Sequence, residues 1–338
     1  MTSLSLSQLI GESPEIVSLR EQIRRLIQRQ RGLYRPLPIL ILGEAGTGKA
    51  FVARQIHAEG PRAQRPFVQV SCAALPESLF EAELFGFEKG APASARGARP
   101  GLFHAAGAGT IFLDEVGRLS LGNQAKLLKV VEQRVLRRIG STQDEPVDAW
   151  IITAASDDLL TSAREGRFRE DLYHRLAAVA FRLPPLRRRG RDILLLAERF
   201  LARACTEYGA PPMALGPSAR AALLAHSWPG NVRELANLME RVVLFSEATD
   251  VTAETFDLTE APGSEQTPAA SPNGRAGPED EDVRDAALRA RAAGSWSALA
   301  RESVARPLRA EPASTRAANG SRRTGWLLDL GEPSEAGR

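Results

Sequence analysis

A parallel α/β sheet, followed by a small all-helical unit and a tail, is the fold this chain predicts. Three observations carry that reading. Short apolar runs recur along the first half with helix-like segments between them, which is the pattern of strands joined by crossover helices. A glycine-rich turn, Gly43-Glu44-Ala45-Gly46-Thr47-Gly48-Lys49, directly follows the first of those runs. After Arg191 the apolar residues keep only helical spacing.

The strand-like runs are Ile39–Leu42, Phe67–Val70, Thr110–Leu113, Trp150–Ala154 and Val179–Leu183. Between them Asn123–Gln133 reads as a helix, with Leu127, Leu128 and Val131 on one face. In the second unit Ile193, Leu196 and Phe200 repeat at helical spacing, as do Leu235, Leu238 and Val242. Gly216-Pro217 before Ser218 reads as a helix start, because proline suits the first helical position. The expected boundaries are 1–188 for the α/β domain, 189–258 for a helical lid, 259–282 for a linker and 283–338 for a tail. The linker is rich in Pro, Gly, Ser and acids with almost nothing to bury.

Composition sets outer limits. The chain has 338 residues, 43% hydrophobic and 25% charged, with a net charge of +3, so total charge gives no argument for nucleic-acid binding. Two cysteines, Cys72 and Cys205, cannot form a disulfide framework and suit a reducing compartment. No apolar run reaches the roughly 18 residues of a membrane span, so a cytoplasmic protein without a membrane partner is expected.

The turn after Ile39–Leu42 and before Phe51, Val52 and Ile56 is the strand, loop and helix start that a phosphate-binding P-loop requires. Gly46 and Gly48 let backbone N–H groups close around an anion at a helix N-terminus. Lys49 then reaches the outer phosphates as a point charge. Ala50 stands where the motif offers Ser or Thr to magnesium. About 65 residues downstream, Asp114 and Glu115 end a buried strand, where they would face a ligand at the mouth of the sheet. Asp114 is the candidate for holding Mg2+, and Glu115 for orienting and deprotonating an attacking water. Two acids at a strand end also occur as a plain solvated terminus.

Several further blocks carry a resemblance. They are Glu83-Leu84-Phe85-Gly86, Glu88-Lys89-Gly90, Gln124-Ala125-Lys126-Leu127-Leu128, Phe168–Leu176, Leu183-Pro184-Pro185-Leu186-Arg187 and Trp228–Leu235. Together with Gly109–Gly117 they resemble, in continuous order from about Leu9 to Glu247, the AAA+ domain of bacterial σ54-dependent transcriptional activators. The resemblance implies an AAA+ P-loop ATPase with a helical lid, assembled as a ring of its own or homologous subunits. ATP and Mg2+ would sit between neighbours. It implies that Arg169 and Arg175 reach the next subunit's γ-phosphate and that Arg233 senses nucleotide from the lid. Six residues apart is not a same-face spacing on a straight helix, so the resemblance alone supports that pair. The basic run Arg187-Arg188-Arg189 falls in the Pro-Pro-Leu-Arg segment and is read as a solvated face.

The chain departs from the family at defined points. The σ54-contact loop, ordinarily Gly-Ala-Phe-Thr-Gly-Ala, here reads Gly90-Ala91-Pro92-Ala93-Ser94-Ala95. It has lost its apolar anchor and its hydroxyl and gained a stiff proline, so unaided remodelling of σ54 RNA polymerase holoenzyme is not expected. Ala50 replaces the family's usual glutamate, and Ser71 replaces an asparagine that restrains the catalytic glutamate. Ser156 replaces the asparagine that senses γ-phosphate, and Trp150 replaces an arginine. Ala287–Glu302 resembles the opening of a helix-turn-helix, but Pro307 interrupts what should be the recognition helix, so specific DNA binding is not expected either. No N-terminal sensory domain is expected, because the motifs start about ten residues from Met1. Other readings stay open: a non-remodelling or inactive AAA+ subunit acting through mixed assembly with a homologue, a related ring motor of the chelatase or helicase kind, and a decaying remnant with a stable fold and no activity.

Overall fold

Four-to-six-residue runs such as Ile39-Leu40-Ile41-Leu42 are apolar on both faces, which fits strands covered on both sides rather than a half-exposed sheet. In a computed structural model, which describes residues 6–31, 33, 36–74, 77–88, 98–246 and 248–256, those runs become one five-stranded sheet. The strands are β1 (Ile39–Leu42), β2 (Phe67–Ser71), β3 (Thr110–Asp114), β4 (Trp150–Ala155) and β5 (Ala180–Arg182). Their order is β2-β3-β4-β1-β5 and every pairing is parallel. The sheet therefore places the end of β1 beside the ends of β4 and, one strand further, β3.

Side chains alternate across the sheet with period two. Leu40, Ile111, Leu113 and Ile151 join the core beneath α3 (Glu77–Phe85), α4 (Leu102–Ala106), α5 (Leu121–Gln133), α6 (Leu159–Arg164) and α7 (Glu170–Leu176). Ile39, Ile41, Phe112, Ile152 and Ala154 join the opposite core, with α1 (Pro14–Gln30) and α2 (Lys49–Glu59). Trp150 lies fully buried on that second side and donates from Nε1 to Leu37 O at 2.8 Å. It packs so closely that a Cβ on Gly60 would come within 2.7 Å of its ring. Where an arginine was to be expected, this chain has put a structural tryptophan.

Helix α5 begins at Leu121, two residues before the predicted start, because the Ser120 hydroxyl accepts from Asn123 N and caps the extra turn. The lid consists of α8 (Asp192–Tyr208), α9 (Pro217–Ala225) and α10 (Asn231–Phe245), packed around the fully buried Trp228. Gly216 caps α9 with Pro217 in its first turn, as expected. The lid is not purely helical: Ala214–Leu215 pairs in parallel with Asp250–Val251, placing Leu215 and Val251 in its core. No described helix is long and apolar enough to cross a membrane. The contact loop at 90–95, the whole of the linker at 259–282 and the 283–338 segment lie outside the described residues.

Candidate functional site

Between β1 and α2 the chain must turn sharply, and two glycines take the left-handed backbone this needs: Gly46 at φ 78° and Gly48 at φ 98°. Gly46 is doubly constrained, since a Cβ there would lie 2.1 Å from Gly230 O at the foot of α10. Thr47 Oγ1 donates back to Glu44 O at 2.8 Å, so its hydroxyl holds the loop's own shape. Lys49, the first residue of α2, is 6% exposed and folds its ammonium onto the loop. Its Nζ donates to Gly43 O at 2.8 Å, Glu44 O at 3.2 Å and Ser156 Oγ at 2.6 Å.

At the end of β3, Asp114 accepts from the backbone N–H of Glu115 at 3.1 Å. Burial pushes the Asp114 carboxyl above its ordinary range, and the Glu115 charge adds to the effect. Glu115 itself sits at φ 56°, ψ 49°, a left-handed conformation uncommon for a non-glycine residue. That geometry carries its carboxylate toward the end of β4. There Ser156 Oγ donates to Glu115 Oε1 at 2.5 Å and Ser156 N to Oε2 at 3.3 Å, with Lys49 Nζ 3.5 Å away.

The lid closes the site from above. Asn231, the first residue of α10, adopts φ 53° and is fully buried. Its Oδ1 accepts from Leu186 N at 2.8 Å, while Nδ2 donates to Ala45 O at 3.0 Å and Glu44 Oε2 at 3.2 Å. Arg233 N donates to Gly46 O at 3.2 Å. Arg187 forms a two-pronged ion pair with Glu44, at 2.8 and 2.6 Å, which holds the Glu44 carboxyl below its usual range.

The reading of Arg187-Arg188-Arg189 as a solvated face is corrected at one position, Arg189. Arg187 and Arg188 are both exposed, Arg187 with its guanidinium tied to Glu44 of the glycine loop, whereas Arg189 is only 4% exposed. Arg189 Nη2 donates to Ile10 O at 2.6 Å and its Nε lies 3.4 Å from Asp192 Oδ2. Arg189 is structural, joining Ile10 to Asp192 in the interior, and Arg187 is a surface side chain paired with Glu44.

A cleft of about 290 Å3 results, lined by Ala45, Gly46, Gly48, Lys49, Ala50, Asp114, Glu115, Val232, Arg233 and Ala236. Eight of the sequence-predicted site residues therefore meet in one place. Gly43 and Glu44 face a second cavity beside Ser156 and Arg187, and Thr47 is buried within the loop. Arg169 and Arg175 line neither. Arg169 caps the start of α7 and pairs with Asp171 at 2.7 Å, while Arg175 Nε lies 2.6 Å from Glu132 Oε1. Because Arg169 precedes the helix proper, straight-helix spacing does not apply to the pair. Asn231 and the Glu44–Arg187 tie are the parts of the site the sequence reading missed. Both lay inside quoted blocks, but nothing local signals a partner more than 140 residues away.

Comparison with known proteins agrees with this frame. The family described as "Sigma-54 interaction domain" matches residues 9–182, and "AAA+ ATPase lid domain" matches 187–272. The chain is 44% identical over 265 residues to the response regulator protein PilR of Pseudomonas aeruginosa, covering 78% of this chain and 58% of that protein. It is 42% identical to the Nif-specific regulatory protein of Azotobacter vinelandii, over 82% of this chain and 52% of that one. Among solved structures, NtrX from Brucella abortus in complex with ATP superposes with a TM-score of 0.65 at 36% identity, covering 74% of this chain and 56% of that chain. The chain thus spans just over half the length of the curated relatives named here. A parallel sheet with a glycine-loop lysine, a strand-end acid pair and a lid helix docked on the loop, together with these matches, makes this chain a member of the σ54-interaction-domain family of AAA+ proteins.

Proposed function

We propose that this chain binds and hydrolyses ATP as a subunit of a ring, in the service of transcriptional regulation. The observation that carries the reading is the convergence of Lys49, Asp114, Glu115 and Arg233 on one cleft walled by the glycine loop. Gly46, Gly48 and the α2 N-terminus would cradle the phosphates, and Lys49 would pair with the outer ones. Glu115 would orient the attacking water and take its proton, with Arg233 close to the same phosphates from the lid. Arg169 and Arg175, exposed and outside the cleft, would complete the site of a neighbouring subunit.

The donor set suits magnesium. Ala50 offers no oxygen and the Thr47 hydroxyl is already engaged, which leaves Asp114 as the one carboxylate not assigned to the base. Mg2+ ordinarily binds through one or two carboxylates together with substrate phosphates and waters, so Asp114 would hold it, and when bound it would offset charge on the transferred phosphate. Contact with σ54 holoenzyme is the family's expected output. In this chain the Pro92-Ala93-Ser94 sequence supports weak contact by homogeneous rings and output through mixed assembly with a homologue.

Magnesium-dependent ATP hydrolysis per subunit, followed over a wide range of protein concentration, tests the reading. The expected result is specific activity that climbs with concentration and is lost in Lys49→Ala and in Arg169→Ala. Hydrolysis that ignores concentration, or survives Lys49→Ala, would refute it.

A further inference from the structure

Gln124 is wholly buried in α5, yet each hydrogen bond of its side chain goes to a loop. Nε2 donates to Leu119 O at 2.7 Å and to Arg167 O at 3.1 Å, and Oε1 accepts from Arg169 N at 2.8 Å. One amide therefore ties the turn that follows Asp114 and Glu115 to the loop that carries Arg169. A primary amide offers two N–H donors and an acceptor, and this gap presents two carbonyls and one N–H. A glutamate there would face both carbonyls without a donor. An aliphatic residue would leave all three main-chain groups bare in the interior, which is costly.

The two ends of this tie are unequal. On the acid side the turn stands by itself: Arg118 N donates to Glu115 O at 3.0 Å and Leu119 N to Val116 O at 3.2 Å, and Val116 and Leu119 are buried. On the other side Arg169 precedes α7, so its N–H has no acceptor within that helix. The Arg169 side chain is more than a third exposed and is held by a surface ion pair with Asp171. Gln124 Oε1 is thus the interior contact that fixes where this arginine leaves the body of the domain.

We infer that Gln124 is a positioning residue for the arginine that a subunit presents to its neighbour. It hangs the Arg169 backbone from the acid turn of its own cleft, so that ATP bound next door meets a guanidinium at a fixed place. This role rests on the ring-ATPase reading above. The lesion of a Gln124 variant then lies in the adjacent subunit's site and not in its own.

The test is ATP hydrolysis by the full chain carrying Gln124→Met, which keeps the length of the side chain and removes its three hydrogen bonds, alone and in mixed rings. Alone, kcat should fall roughly tenfold to a hundredfold, the scale of a misplaced catalytic group, with KM within about twofold because the variant's own cleft is intact. Mixed in equal amounts with Lys49→Ala and allowed to exchange, it should recover roughly a quarter of wild-type hydrolysis per site, since a Gln124→Met cleft followed by a Lys49→Ala subunit is complete. Mixed with Arg169→Ala, it should rise no higher than the mean of the two parts, because both lesions sit on the arginine side. Recovery with Arg169→Ala, recovery with neither partner, or a kcat equal to wild type would overturn the role of Gln124 and leave the ATPase reading standing. Should Gln124→Met fail to fold, as judged by thermal unfolding, Gln124→Asn is one methylene shorter, breaks the same span and carries the same decision. Failure of the wild-type chain to hydrolyse ATP, or an Arg169→Ala chain as active as wild type, would sink the ring-ATPase reading, and the role of Gln124 with it.

Discussion

Both carboxylate oxygens of Asp192 accept hydrogen bonds from the N-terminal segment. Oδ1 takes Glu12 N at 2.6 Å and Ser13 N at 3.1 Å, and Oδ2 takes Ser13 Oγ at 2.6 Å, with Arg189 Nε 3.4 Å away. Gly11 is required beside it, since a Cβ there would lie 2.5 Å from Oδ2. The side chain is 1% exposed, so this is a buried ion pair whose loss leaves Arg189 without its counter-charge. Burial alone would push the carboxyl up, yet the Ser13 and Glu12 hydrogen bonds and the Arg189 charge outweigh it and hold the group below its ordinary 3.8. A folded value below the unfolded one gives stability that is present above about pH 4 and lost as pH falls through the folded value. Asp192→Asn should therefore cost about 3 kcal/mol at neutral pH, the usual penalty for breaking a buried pair. In denaturant titrations at several pH values, it should also flatten the acid limb below pH 4. An unchanged acid limb would show that other carboxylates set it.

The foot of α10 is the element on which the site depends. Gly230 O lies where a Gly46 Cβ would be, Arg233 N bonds Gly46 O, and Asn231 ties Leu186 to Ala45 and Glu44. Lid and glycine loop are thus one hydrogen-bonded surface, and nucleotide on the loop should be felt by the lid. Asn231→Ala leaves Leu186 N and Ala45 O unsatisfied and puts a residue ill-suited to φ 53° at the helix start. The cost should be about 1–3 kcal/mol for the buried groups, seen as a lower Tm, with a smaller upward shift on adding ATP than the wild type shows. A normal ATP-induced shift would mean that the loop binds without the lid. Sequence periodicity caught the elements that build this surface, because β1 through β5 are apolar runs and α10 repeats Leu235, Leu238 and Val242 at helical spacing. It missed the two-residue pair Ala214–Leu215 with Asp250–Val251, which has no local pattern to read. It also misjudged Arg189, which is buried against Ile10, a partner 179 residues away in sequence.

At the scale of the molecule, the cleft of a single chain brings one arginine to the glycine loop. Arg233 is the one arginine lining the cleft, whereas Arg169 and Arg175 are more than a third exposed and engage Asp171 and Glu132 on their own subunit. Both are surface ion pairs, screened by solvent and easily exchanged for a stronger anion. Family resemblance assigned these arginines; no spacing rule did, because one caps α7 and the other lies within it. If they act on a neighbour's nucleotide, the two defects Lys49→Ala and Arg169→Ala lie on opposite sides of every interface in a head-to-tail ring. Either variant alone then has no working site. Mixed in equal amounts and allowed to exchange, a site works wherever a subunit with intact Lys49 is followed by one with intact Arg169. Random assembly makes that about one interface in four, so the mixture should recover roughly a quarter of wild-type hydrolysis per site. A mixture as inactive as its parts, with exchange verified by fluorescence energy transfer between labelled subunits, would place Arg169 in its own subunit's chemistry or in none. Recovery would establish that the catalytic unit is the interface between two copies and not the fold itself.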